Sequence, residues 1–224
     1  MKDLKFKIIR SSVIKTARKS IGCMSRCFLP IIFASLALSL SCEREDMFTF
    51  AENRLSIGDT GPGGGIVFYV TDGGLHGLEV ALSDQSTSQV WISPTTPQTT
   101  LNGNTSTAIG TGRANSNAII SQALHTGSAA QLCRDYNGGG KKDWFLPSKD
   151  ELQEIWWNLV SDHSALNSGQ GGPYAGSLGS FTAGYYWSSS ENASNNAHEQ
   201  SFSTGQQSYS TKGTADYVRA VRAF

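Results

Sequence analysis

Along most of the chain, apolar residues come in short runs rather than at helical spacing. Ile66–Val70, Leu78–Leu82, Val90–Ile92, Tyr185–Asn192, Ser201–Ser203 and Tyr217–Phe224 are β-branched or aromatic segments bounded by Gly, Asn, Asp and Ser. That texture predicts short strands. Asp72-Gly73-Gly74 joins the first two runs as a hairpin. One stretch keeps a clear helical period: Leu152, Ile155, Trp156 and Leu159 fall at i, i+3, i+4 and i+7, which gives one buried face. Ser148-Lys149-Asp150-Glu151, just after Pro147, supplies a capping box for it. Two shorter helices are expected. Asn115 or Ser116 caps one running through Ile119 and Leu124, and Ser128 caps another through Ala129 and Leu132. The fold class is therefore α+β, with a twisted, mainly antiparallel sheet of short strands, two to three helices and long loops.

Two segments need a closer reading. Gly58-Asp59-Thr60-Gly61-Pro62-Gly63-Gly64-Gly65 invites a phosphate-loop assignment. It lacks a Lys and runs into a strand, whereas phosphate loops open a helix; it reads as a turn that launches a buried strand. The last run places one Arg on each face, Arg219 and Arg222. Each is expected to pair with a carboxylate or carbonyls, because a buried unpaired charge is costly. Residues 93–113, rich in Thr, Asn, Gly and Ser, form a long polar loop.

The first 41 residues read as a leader. They carry eight Lys or Arg and one acid, then a 13-residue apolar run, Phe28–Leu40. A membrane-crossing helix needs about 20 apolar residues, so the run fits a secretory signal instead. It ends at Ser41-Cys42. A small residue before Cys at the end of such a run resembles a bacterial lipoprotein signal, in which Cys42 is acylated and becomes the N-terminus. Ser39 stands where that pattern usually has Leu, and an ordinary secretory cut near Ser41 is the alternative. A start at Met24 gives a leader of ordinary length, with residues 1–23 as an upstream extension. Residues 42–56, with Glu43, Arg44, Glu45, Asp46, Glu52 and Arg54, read as a tether. Residues 57–224 are long enough for one domain with its own core.

Charge changes meaning once the leader is set aside. The whole chain balances 18 basic against 18 acidic residues; the leader takes eight of the former and one of the latter, leaving ten against seventeen, a formal −7. An acidic domain gives no electrostatic case for nucleic-acid binding. Of the four cysteines, Cys133 alone belongs to the domain, in a helical apolar context that reads as core. His76, His125, His163 and His198 show no ligand spacing, and Ser188, Ser189 and Ser190 lack a nucleophile-elbow pattern. No catalytic residue is assigned, and the chain is read as a non-enzyme.

Four motifs in order resemble a known family: Ala129-Ala130 with Leu132-Cys133, Asp143-Trp144-Phe145-Leu146-Pro147-Ser148 with Glu151-Leu152, Tyr186-Trp187-Ser188-Ser189-Ser190, and Val218–Phe224. Together with the Gly58–Tyr69 opening they resemble the Lcl C-terminal domain of bacterial collagen-like proteins, over about residues 57–224. The resemblance implies a C-type-lectin-like fold and an envelope or extracellular setting. Trp144, Trp187 and Phe224 then read as core-filling. No collagen-like array accompanies the domain.

From this follows a functional expectation: a lipid-anchored, periplasmic or surface-exposed ligand-binding domain, with glycan as the candidate ligand. The polar stretch after Trp187 is the candidate surface, comprising Trp187, Glu191, Asn192, Asn195, Asn196 and Glu199. Asn and carboxylate oxygens hydrogen-bond sugar hydroxyls, and aromatic faces stack on sugar rings. Calcium is a secondary expectation, since hard cations take six to eight oxygens of these types; the Trp-Asn-Asp and Glu-Pro-Asn triplets of calcium-binding lectins are missing. The alternative is a structural or protein-binding envelope lipoprotein.

Overall fold

The computed structural model describes residues 54–93, 98–161 and 178–224. The leader, Cys42, His163 and most of the 42–56 tether lie outside the described residues. Two sheets organise the domain. Strands β1 (Ile66–Thr71), β2 (His76–Val80) and β8 (Val221–Ala223) form the first, in the order β1-β2-β8. Strands β3 (Ser86–Val90), β4 (Tyr185–Ala193), β5 (Asn196–Ser201), β6 (Gln207–Thr211) and β7 (Ala215–Val218) form the second, in the order β3-β7-β4-β5-β6. All pairings are antiparallel except β4 with β7, which meet in parallel at Tyr186 and Tyr217. With helices α1 (Gly112–Ile120), α2 (Ala129–Asp135) and α3 (Lys149–Ile155), the expected α+β class is found.

The helices follow their local chemistry. The capping box is present in full: Ser148 Oγ accepts from Glu151 N at 3.2 Å and Glu151 Oε2 accepts from Ser148 N at 2.8 Å. Ser128 Oγ caps α2 by accepting from Gln131 N at 3.0 Å. α1 departs from expectation. It begins at Gly112, and Asn115 lies inside it, almost fully buried. The side chain that looked like a cap instead ties the preceding loop to β4. Asn115 Nδ2 donates to Ser106 O at 2.6 Å and Ser189 Oγ at 3.2 Å, while its Oδ1 accepts from Ser106 N at 2.9 Å. α3 continues into a single π turn over Trp156–Val160, which keeps Trp156, Leu159 and Val160 facing inward.

Two apolar clusters fill the interior. One packs α3 and the π turn against Phe68, Val80, Tyr186 and Phe202; the other packs α1 and α2 against Trp91, Trp144 and Trp187. Each Leu or Ile fully buried in this way contributes about 1.5–3 kcal/mol. Cys133 is wholly buried, and burial pushes its thiol pKa far up, so it serves as the small hydrophobe expected. Phe224 departs from its expected role as core filler: it is half-buried and lines an open groove with Tyr69, His76 and Leu78.

The C-terminal strand is locked by charge as well as by the ladder. Arg219 is buried against Asp84 at 2.6 Å and the carbonyls of Ala81 and Gly179 at 2.9 and 2.8 Å. Arg222 bridges Glu79 at 2.8 Å and Asp143 at 2.6 Å. Burial alone would raise the Asp143 pKa, but the Arg222 hydrogen bond and charge outweigh it and hold the carboxyl below its ordinary value. The glycine-rich loop is anion-binding after all, but its anion is internal. Gly63 N and Gly65 N donate to the fully buried Glu79 carboxylate at 2.8 and 3.0 Å. A Cβ on Gly63 would stand 2.7 Å from Glu79 Oε1, so only glycine lets the backbone close on it.

Candidate functional site

The polar stretch after Trp187, the candidate surface, continues the expected strand into a turn and a second strand. It is a β-hairpin, with β4 running to Ala193 and β5 starting at Asn196. Trp187 is fully buried, and its indole N–H donates to Gln89 O at 2.9 Å. It is a core residue and offers no face to a sugar ring. Glu191 is withdrawn as well, with 3% of its side chain exposed. Its carboxylate pairs with Lys212 and accepts from Asn102 N at 2.9 Å and Gly103 N at 3.0 Å. Glu199 is buried against Asp216. Asn192 and Asn195 are exposed and Asn196 is half-buried. The six residues therefore do not form one surface.

Glu191 points instead to a neighbouring site. Lys212, 1% exposed, also donates to Thr100 O at 2.9 Å and Ser194 O at 2.7 Å, and sits 5.0 Å over the Trp91 ring. Buried charges of this kind are tolerated only when fully paired. Here the pair fixes the loop over 98–104 onto the β4–β5 hairpin. The far end of the same loop is held by Glu151, whose Oε1 accepts from Gly110 N at 2.8 Å. Burial raises the Glu151 pKa, opposed by the backbone N–H groups of Ser148, Gly110 and Gly112. In between, Ser190 Oγ donates to Ser106 O at 2.7 Å, and Glu191 N donates to Thr105 Oγ1 at 3.0 Å.

Between this loop and the C-terminal end of α1 lies an open pocket of about 290 Å³. Its lining includes Leu101, Asn102, Ala118, Gln122, Ala123 and Leu124, with no charged side chain. Asn102 is fixed there by its own Nδ2, which donates to Ala118 O at 2.9 Å. The three serines of β4 are fully buried and their hydroxyls donate to carbonyls of His198, Pro147 and Ser106. Among the described residues, no group of three or more His, Cys, Asp or Glu is placed to hold a metal ion.

The model of the Lcl C-terminal domain family matches residues 81–222. The chain belongs to that family. No curated protein matches it. The Lcl C-terminal match starts after β2, yet β2 pairs with β8, whose Val221 and Arg222 lie inside the matched region. Within the matched range Trp144, Leu146, Trp187 and Ala220 are buried, and Arg222 lies in its ion pairs. Lys212 and Gln122, which shape the pocket and its loop, went unassigned in the sequence. Lys212 sits in Ser-Thr-Lys-Gly-Thr, which reads locally as an exposed turn. Only its pairing with Glu191, 21 residues away, gives it a role.

Proposed function

We propose that this Lcl C-terminal-type domain is an exported, lipid-anchored, non-catalytic ligand-binding module of a bacterial cell envelope, with glycan as its ligand class. The observation that carries the binding reading is the fixed loop over 98–111. Three buried charges, Glu151, Glu191 and Lys212, are committed to its backbone. A loop with no core of its own, immobilised at that expense in desolvation, presents Asn and Thr groups beside a pocket in a fixed geometry. Preorganised polar groups lose little entropy on binding a hydroxyl-rich ligand. The basic leader, its short apolar run and Ser41-Cys42 support export and acylation. The engagement of the carboxylates and serines in structural hydrogen bonds supports a non-catalytic role.

The test is a glycan array probed with the full chain in detergent, with and without calcium. Binding to at least one glycan class is expected; no signal in either condition sinks the glycan reading. A second reading, a protein-binding envelope lipoprotein, is favoured by the groove along Tyr69, Leu78 and Phe224.

A further inference from the structure

The pocket beside α1 has a chemistry narrower than "hydroxyl-rich". Its lining carries no charge, so it has nothing to pair with a sulfate, carboxylate or ammonium group. Two of its polar side chains are already used: Asn102 Nδ2 and Ser121 Oγ both donate to Ala118 O, at 2.9 and 3.0 Å. Gln122 is different. Its Oε1 is turned inward and buried with no hydrogen-bond partner, an arrangement that is unfavourable for a carbonyl. Gln122 lines the pocket, and a half-turn of its terminal amide would exchange Oε1 with Nε2, so that an N–H donor bound there would satisfy the carbonyl. The walls beside it are apolar. Leu101 and Leu124 are 59% and 69% exposed, and Ala118 and Ala123 line the same pocket. Leu124 adopts φ +66°, a conformation that a bulky side chain rarely takes and that clusters at binding sites. The backbone thus holds a leucine outward at the rim of a neutral pocket.

An N–H donor next to a methyl group on an uncharged, hydroxylated body is an acetamido sugar. We propose that this pocket binds a neutral N-acetylated hexosamine, with Gln122 Oε1 accepting from the acetamido N–H and the methyl lying against Leu101, Ala123 and Leu124. The inference rests on the glycan reading above and names the sugar within it.

The full chain in deuterated detergent is titrated with N,N′-diacetylchitobiose and, in parallel, with cellobiose, by saturation-transfer NMR. The acetamido methyls are expected to receive the strongest saturation, and cellobiose to bind at least tenfold more weakly. Gln122→Met is expected to weaken chitobiose binding tenfold or more while the melting temperature stays level or rises, because an unsatisfied carbonyl is removed. Leu124→Gly is expected to weaken binding without loss of thermal stability, since glycine accepts the positive φ. Equal binding of the two disaccharides overturns the proposal, as does undiminished binding by Gln122→Met. So does tighter binding of N-acetylalanine methylamide, which would make the occupant a peptide. Chitobiose silence alongside binding of another glycan on the array overturns this inference and leaves the glycan reading standing. Silence towards every glycan overturns that reading itself.

Discussion

The carboxyls of Glu199 on β5 and Asp216 on β7 face each other across β4, and each residue is less than a tenth exposed. Burial, then the hydrogen bond and charge of Asp216, push Glu199 up to about 8, and burial raises Asp216 too. Asp216 Oδ2 has no N–H or hydroxyl partner, so a proton retained by Glu199 supplies the missing donor. The folded state therefore holds a proton that the unfolded chain releases near 4.5. Stability from this pair is full below 4.5, declines as pH rises, and is lost once pH passes about 8. Glu199→Gln, which keeps a donor without titrating, should flatten that decline; melting curves of both proteins from pH 4.5 to 9 check it. Parallel slopes in the two proteins would show that the pair holds no such proton. Neither this pair nor Glu191–Lys212 was legible as such from sequence. Glu199 and Glu191 look like ordinary polar positions, and their partners are brought to them only by strand order.

At the scale of elements, legibility followed the strength of the local signal. α3 was readable because a capping box and an i, i+3, i+4, i+7 face agree, and the β1–β2 hairpin because Asp72, Gly73 and Gly74 take the positive φ its turn requires. β6, Gln207–Thr211, offers no apolar alternation because it is a polar edge strand. β5 was not predicted as a strand, because its inward residues include Glu199 and Gln200, which are buried without being apolar. The start of α1 was misplaced because a buried Asn115 imitates a cap. The same logic gives a measurable outcome for Ser148. Its hydroxyl both caps α3 and donates to Ala108 O at 2.9 Å, so one substitution loosens the helix and the 98–111 loop together. N-cap Ser→Ala changes destabilise by about 0.5–2 kcal/mol, and about 2–4 °C of melting temperature accompanies each kcal/mol at this size. Ser148→Ala is expected at the upper end, because its second bond is lost as well. A change below 1 °C by differential scanning calorimetry would mean that the cap is replaceable by water.

For the molecule as a whole, the disposition of charge decides how it can meet a membrane. Beyond residue 41 the chain is formally −7. Of its few cations, Lys212 and Arg219 have 1% of their side chains exposed and Arg222 has 12%, each in an ion pair. No described helix is long and apolar enough to cross a bilayer. An anionic lipid surface would repel such a body within the Debye length, about 8–10 Å at physiological salt, so attachment under the proposed function falls to acyl chains on Cys42. Buried acyl carbons contribute about 0.8 kcal/mol per CH₂, and stable anchoring needs more than one chain. This attachment is insensitive to salt, whereas electrostatic attachment is screened within about 3 Å at 1 M. The wild-type chain is therefore expected to stay with membranes through a 1 M salt wash and to leave in detergent. Cys42→Ser, still exported through the secretory cut near Ser41, is expected in the soluble fraction. Release of the wild type by salt alone, or membrane retention of Cys42→Ser, would move the anchor from Cys42 to the folded domain or to an uncleaved leader.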